Sequence, residues 1–282
     1  MNQIDKILKQ INDLKPIPQV AHKVMSIAGN SEGSLSELSE VITYDPGVTA
    51  TLLKLCNSAY FALARKVDSV HQAVVLLGMN QIVDLVVMTT AGTNLKNEQK
   101  GYDLGENDLW RYSVASALIA RDLAEKKGSK DNHLVFTAGL LKDIGKVVLN
   151  QYVADAAKEI NDLVSEAGIS FREAEEKVIG IDHAELGARV AREWQFSPQM
   201  VKIIKNHHLD HAGSDNDFET SIVYLADTIC MMMGVGVGCD GLAYRFDQKI
   251  IEGLGFSQED IQEAMAGFGE KLDQVEELVN AL

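Results

Sequence analysis

The stretch that decides the fold class lies early in the chain, where residues 42–61 read ITYDPGVTATLLKLCNSAYF and residues 73–78 read AVVLLG. Asp45 precedes Pro46, a pair that favours a helix start. The carboxylate can accept hydrogen bonds from free backbone amides of the first turn, and proline fits the first helical position because an amide hydrogen there would have no intrahelical partner. The small residues at positions 57–59 allow helices to approach closely, and an asparagine among them can bond backbone at a helix end. On these grounds we expect a helical bundle, with residues 57–59 at a junction between helices rather than on open surface.

Helix-start patterns recur along the rest of the chain. Residues 107–127 place apolar side chains three and four positions apart, the period of an amphipathic helix. Capping signals occur at four further places: Ser34 with Glu37, Ser170 with Glu173, Ser197 before Pro198, and Ser257 with Asp260. Because convincing period-2 strands are missing, the sequence predicts an all-α, multi-helical protein.

Composition narrows the function classes. The 282 residues are 46% hydrophobic and 24% charged, with a formal net charge of -15. Such a charge disfavours nucleic acid and anionic membrane surfaces, since both bind mainly through Lys and Arg. Cys56, Cys230 and Cys239 form no C-x-x-C pair, which argues against a disulfide framework or a zinc knuckle. The N-terminus is polar and the apolar runs look too short to span a bilayer, so we expect a cytoplasmic protein without a membrane partner.

Polar and glycine-rich segments indicate the organisation. Residues 94–105 (NLKNEQKGYDLG) are the best boundary, which predicts one helical lobe over residues 1–100 and a second over 101–282. Residues 210–217 indicate another loop. Residues 234–241 (GVGVGCDG) resemble a phosphate-binding loop only superficially, because no strand precedes them. A flexible connection, whose glycines end the preceding helix, is the better interpretation.

The phrases DPGVTATLLKLCNSAYF and AVVLLG closely resemble the HDOD family, and the resemblance extends over about residues 10–230. HDOD modules are relatives of the HD phosphohydrolases and occur in bacterial signalling proteins. The resemblance implies an N-terminal helical bundle packed on an HD-domain-like bundle. It also implies an output role in signal transduction, whose input comes from a partner protein or a small ligand. Homo-oligomerisation remains open.

Residues 136–149 (FTAGLLKDIGKVVL) align with the phrase that gives HD phosphohydrolases a His–Asp metal-binding pair, but here the pair is Lys142-Asp143. An ammonium with a pKa of about 10.4 is not a metal ligand. The family also uses an earlier His and a later Asp. The resemblance places these at Tyr112 and Asp227, so both histidines of the basic motif are replaced.

Three further histidines lie in phrases that, in related HD proteins, can hold a second metal or contact phosphate: His183, His207 and His208. Packed or solvated polar roles are the alternative. His22, His71, His133 and His211 belong to no motif, and we expect them to be surface or packing residues.

Three functions therefore compete. The first is a non-catalytic signalling module without a cofactor. The second is a metal-dependent phosphohydrolase with a degenerate site, whose divalent metal would be held by Asp143, His183, His207, His208 and Asp227. The third is a nucleotide-binding protein without turnover. On the first interpretation the Lys142 ammonium lies within ion-pair reach of Asp143 or Asp227, because buried carboxylates need a partner. The alternative is that Lys142 points to solvent.

Overall fold

A computed structural model describes residues 3–30, 32–129, 132–209, 217–236, 238–239 and 247–281. Across these residues the structure is helical and has no strand beyond an isolated bridge between Gln99 and Leu104. The prediction of an all-α protein is confirmed. The α-helices are α1 (Gln3–Gln10), α2 (Gln19–Ala28), α3 (Leu35–Thr43), α4 (Pro46–Cys56), α5 (Val70–Leu95), α6 (Asp108–Lys126), α7 (Asn132–Leu141), α8 (Ile144–Ala167), α9 (Phe171–Ile179), α10 (His183–Glu193), α11 (Pro198–Asn206), α12 (Phe218–Met232), α13 (Gln248–Gly253), α14 (Gln258–Ala266) and α15 (Phe268–Ala281).

The predicted caps begin these helices. The side chains of Ser34, Asp45, Ser170, Ser197 and Ser257 each accept a hydrogen bond from a backbone amide in the first turn. The capping boxes that begin α9 and α14 are complete, because the N3 carboxylate also accepts a hydrogen bond from the backbone amide of the capping serine. At α3 the structure shows one bond of the box, in which the Ser34 side chain accepts a hydrogen bond from the Glu37 backbone amide. Local sequence therefore fixes where these helices start.

Helix α5 is the centre of the N-terminal part and packs against α2, α3 and α4. Gly78 interrupts it with a φ of 80° and a ψ of 169°. By length and composition alone α5 could span a bilayer, although Gly78 interrupts its helical backbone. Half of its most apolar window is buried inside the protein. Its apolar character is therefore consistent with packing in a helical core.

The second half of the chain packs around α6, which contacts α7, α12 and α15. Helices α8, α9, α10 and α11 form the neighbouring layer, and α7 also contacts α5. The C-terminal helix α15 returns to α4 and to the short turn Ala59–Phe61. The division into lobes 1–100 and 101–282 remains a prediction.

The prediction that residues 57–59 avoid open surface is wrong at two positions, because Asn57 and Ala59 are both exposed. Asn57 obtains its hydrogen bonds at the surface. Its Nδ2 donates to the carbonyl oxygens of Leu53 and Val67, at 2.8 Å each, and its Oδ1 accepts from the Val67 amide at 2.8 Å. The side chain thus joins the end of α4 to the segment that leads into α5.

We expect Asn57→Ala to lower the free energy of unfolding by about 1–2 kcal/mol, since the two bonds to Val67 are lost together. Urea denaturation measures this change. Asn30→Ala is the control, because Asn30 accepts one local bond from the Glu32 amide, and it should cost less than half as much. Equal losses in the two variants would show that the Asn57 bonds do not stabilise the fold.

The glycine-rich stretch ends α12 as predicted, with Gly234 at a φ of 76° directly after the C-cap. It is also closely packed. A Cβ on Gly236 would lie 2.7 Å from the Cβ of Tyr112, and a Cβ on Gly238 would lie 1.9 Å from the Tyr102 carbonyl oxygen. Glycine is thus required where backbone lies against these tyrosines. Residues 237, 240 and 241 of this stretch, and 210–216 of the other predicted loop, lie outside the described residues.

Candidate functional site

Lys142 and Asp143 form the turn between α7 and α8, and their side chains are 0% and 1% exposed. The Lys142 ammonium pairs with Asp143 Oδ2 and lies 2.7 Å from Asp227 Oδ1, which α12 supplies. The predicted ion pairs are present, and the alternative of a solvent-facing Lys142 is wrong. Burial among three helices explains this arrangement, because neither charge can reach water.

Tyr112 on α6 completes the surroundings of Lys142. Its hydroxyl donates a hydrogen bond to Asp227 Oδ1, the oxygen that also faces Lys142. The Lys142 ammonium lies 4.1 Å from the centre of the Tyr112 ring, in cation–π range. The tyrosine therefore stabilises both charges of the Lys142–Asp227 pair.

Lys146 is a second buried cation that the sequence interpretation missed. It is 1% exposed and lies 2.9 Å from Asp143 Oδ1, three residues back on the chain. Burial alone would raise the pKa of Asp143, but Lys142 and Lys146 outweigh it and hold that pKa well below its usual value. Burial likewise opposes the charge on Lys142, yet Asp143 and Asp227 raise its pKa overall. Lys142 and Asp143 therefore remain ionised at neutral pH.

His183, the first residue of α10, is fixed by a buried carboxylate that was also missed. Glu175 Oε2 lies 2.6 Å from His183 Nδ1 and accepts the His183 backbone amide at 3.1 Å. Glu175 Oε1 accepts the Tyr102 hydroxyl at 2.5 Å. Nδ1 therefore carries a proton, and Nε2 points away from Glu175 toward the other histidines.

His207 and His208, after α11, bring two more imidazoles to the same place. His207 Nδ1 lies 2.7 Å from the Ile204 carbonyl oxygen, so it donates, and the neutral ring keeps a lone pair on Nε2. Half-buried His208 places Nε2 2.8 Å from His183 Nε2. Ligand atoms of the three rings lie within 4.8 Å of one another. Asp143 Oδ1 is 3.8 Å from His183 Nε2 and 3.9 Å from His207 Nε2.

The three histidines differ in charge. Burial lowers the pKa of His207 to about 4. Burial, with the nearby His207 and His183, holds the pKa of His208 well below its usual value. Burial also opposes charge on His183, but Glu175 raises its pKa overall. The proton between His183 and His208 therefore resides on His183, which donates to His208.

The family model of the HDOD domain matches residues 14–209. The chain belongs to the HDOD family. Solved structures show the same fold. The HDOD domain protein with unknown function from Geobacter sulfurreducens is 23% identical, with a TM-score of 0.76 over 98% of this chain and 99% of that one. A Shewanella amazonensis SB2B protein named "Putative phosphohydrolase" is 24% identical, with a TM-score of 0.71 over 98% and 97% of the two chains.

Two further relatives are longer than this HDOD chain. A Marinobacter aquaeolei VT8 structure named "Putative signal transduction protein" is 22% identical, with a TM-score of 0.78 over all of this chain and 61% of that one. An uncharacterised protein of Treponema pallidum (strain Nichols) is 26% identical over 213 residues, which are 74% of this chain and 40% of that protein. This HDOD chain therefore spans less than half of that curated relative.

A divalent metal of the HD type does not fit between Asp143 and Asp227 in this HDOD protein. The Lys142 ammonium stands between their carboxylates, and the Tyr112 hydroxyl holds the Asp227 oxygen that would face the ion. An ammonium repels a divalent cation strongly at such distances. Lys146 adds a second cation beside Asp143.

The three histidines are better suited to a metal than the space between Asp143 and Asp227, because imidazole nitrogens are metal ligands and an ammonium is not. His183 and His207 each have Nδ1 fixed, by Glu175 and by the Ile204 carbonyl, which is how proteins orient metal-binding imidazoles. His207 Nε2 makes no hydrogen bond to the residues that the structure describes. A metal there would have to displace the proton between His183 and His208.

The remaining histidines of this HDOD chain are as expected where the structure describes them. His22 contacts the Phe196 ring at 5.3 Å, and His71 is exposed. His133 is half-buried in α7. His211 lies outside the described residues.

The lowered pKa of His207 predicts acid lability. Between these pH values the His207 imidazole takes up a proton in the unfolded chain but not in the native state. The free energy of unfolding therefore decreases as pH falls from about 6.5 toward 4. We expect His207 to account for a loss of about 3 kcal/mol over this range. Urea denaturation at several pH values should show a shallower pH dependence for His207→Gln than for the unmodified protein. Parallel profiles would contradict the prediction.

Proposed function

We propose that the protein is a non-catalytic regulatory module of bacterial signal transduction, in which Lys142 takes the place of a metal ion. The observation that carries the proposal is the contact of one buried ammonium with both Asp143 and Asp227. A divalent ion and this ammonium cannot share the space between the two carboxylates. The chain would act in the cytoplasm by binding a partner protein or a small ligand.

Charge balance supports a structural role for the buried group. Three carboxylates, on Asp143, Asp227 and Glu175, lie near three cations once His183 holds its proton. The cations are His183, Lys142 and Lys146. A neutral, hydrogen-bonded group can remain buried, whereas an added divalent ion would leave excess positive charge. The ion pairs also tie the α7–α8 turn to α12, so the group fixes the relative positions of helices.

A metal-dependent phosphohydrolase is the second candidate, and the three converging imidazoles favour it. In that function His183, His207 and His208 would hold the ion, which would polarise a phosphate and activate water. No contact described for the lysines, aspartates and histidines of this site specifically favours the third function, nucleotide binding without turnover.

Metal content separates the two candidates. The purified chain, incubated with Mn²⁺, Fe²⁺ or Zn²⁺ and then desalted, should retain far less than one ion per chain by elemental analysis. It should also show no turnover of phosphodiester or nucleotide substrates. One retained ion per chain that disappears in His207→Ala, together with hydrolysis that requires it, would establish the phosphohydrolase instead.

A further inference from the structure

A buried carboxylate joins the N-terminal part of the chain to its second half, apart from the Lys142 ion pairs. Asp84 on α5 is 3% exposed, and its Oδ2 accepts a hydrogen bond from Nη1 of Arg121 on α6, at 3.2 Å. Across the described parts of the chain, nothing donates a hydrogen bond to Asp84 Oδ1. One oxygen of the carboxylate therefore has a partner and the other has none, which is costly for a charge that is buried.

A small cavity lies beside Asp84, where the turn Ala59–Phe61, α5, α6, α7 and α15 meet. Its volume is about 10 Å³, which excludes any ligand larger than a water molecule. The guanidinium of Arg121 on its wall disfavours a metal ion. A proton is therefore the ligand that suits this carboxylate. The apolar lining residues are Phe61, Leu85, Met88, Leu118, Phe136 and Leu278.

The charges that act on Asp84 come from α6. Burial raises the pKa of Asp84 to about 7, although Arg121 opposes the rise, and Glu125 adds to it. Tyr60, in the turn before α5, accepts a hydrogen bond from Nη2 of Arg121 at 3.4 Å. Helices α7 and α15 contribute apolar side chains to the cavity, and no described residue of α2, α3, α4 or α8 lines it. The protonation state of Asp84 therefore changes near neutral pH.

Arg121 has other carboxylates within reach when Asp84 is neutral. Its Nε lies 3.8 Å from Asp122 Oδ1, and Glu125 follows one turn later on α6, at a spacing that allows ion pairs along a helix. The Arg121 side chain is 16% exposed and Glu125 is exposed, so this alternative lies at the surface. We propose that Asp84 is a proton-binding site that selects the partner of Arg121. Ionised Asp84 joins α5 to α6, whereas protonated Asp84 releases the guanidinium to Glu125.

Proton uptake by Asp84 also stabilises the native state. An aspartate in an unfolded chain has a pKa of about 3.9, so between about pH 4 and 7 native Asp84 holds a proton that the unfolded chain does not. The free energy of unfolding from this group therefore rises as pH falls, which is opposite in sign to the effect of His207. The proposal goes beyond the regulatory function, because it supplies a proton as an input that needs neither a ligand nor a metal.

NMR titration of the full chain, with ¹³C-labelled aspartate and ¹⁵N-labelled arginine, tests the site. We expect one aspartate Cγ signal, absent from Asp84→Asn, to titrate about 3 pH units above an ordinary aspartate. The Arg121 Nε signal should shift with the same midpoint. Asp122→Asn is the matched control, because Asp122 also faces Arg121 but is 39% exposed, and it should leave the Asp84 midpoint nearly unchanged. Glu125→Gln should lower that midpoint.

Three results would overturn the proposal. An Asp84 signal that stays ionised down to about pH 5, or protonated up to about pH 9, would show that the site does not titrate in the neutral range. Titration of Asp84 without a shift of the Arg121 Nε signal would show that the ion pair is not switched. The same follows if Asp84→Asn leaves the Arg121 signal where the unmodified chain has it at high pH. Metal content, which tests the proposed function, affects none of these readouts.

Discussion

Lys142→Ala is expected to lower the free energy of unfolding by about 4 kcal/mol, the largest stability effect of any substitution considered for this chain. The lysine is fully buried, and its loss leaves Asp227 with the Tyr112 hydroxyl as its remaining described partner and Asp143 with a single close ammonium, from Lys146. Uncompensated charge in a buried site is costly. Urea or thermal denaturation of purified protein measures the change.

Two comparisons show whether charge causes that loss. Lys126→Ala removes an ammonium that is 41% exposed and pairs with Asp260 and Glu263, and it should destabilise the protein far less than Lys142→Ala, because solvent screens an exposed pair. Lys142→Met keeps most of the volume and should still be strongly destabilised, whereas adding Asp227→Asn to it should restore part of the stability. A Lys142→Met variant as stable as the unmodified chain would contradict the buried ion pairs.

Lys142→His combined with Tyr112→His is expected to raise metal uptake from far below one ion to about one ion per chain. The double substitution removes the competing ammonium, and it returns two imidazoles to the places where the family resemblance expects them. Asp143 and Asp227 already converge there. Elemental analysis after incubation with Mn²⁺ and desalting measures the uptake.

The single variants serve as controls for metal uptake. Tyr112→His alone leaves the Lys142 ammonium between the carboxylates and should not bind the ion. Lys142→His alone should bind weakly, since Tyr112 still occupies Asp227 Oδ1. Equal uptake by the unmodified chain and the double variant would show that Lys142 does not exclude metal.

The parts of the fold set by local chemistry were predictable from sequence. Capping residues and proline define helix starts within four residues, so the starts at Asp45 and Ser170 needed no tertiary information. The pairing of Lys142 with both aspartates was predictable for another reason. A family resemblance placed the carboxylates together, and buried negative charge requires a counter-charge.

Features that depend on tertiary packing were not predictable in the same way. Glu175 reaches His183 across the α9–α10 turn, and no family phrase pointed to it. The sequence did carry a signal for Lys146. It lies three residues after Asp143, and on a helix this spacing places the two side chains on one face. The prediction that Asn57 avoids open surface is wrong, since small residues indicate close packing without showing which side of a junction faces solvent.

A crystal structure of the unmodified protein soaked in Mn²⁺, with anomalous scattering recorded at the manganese edge, tests directly whether Lys142 excludes metal. We expect Lys142 Nζ between Asp143 and Asp227, with no anomalous peak within about 3 Å of both carboxylates. A manganese peak that bridges Asp143 and Asp227, with Lys142 turned away, would contradict it.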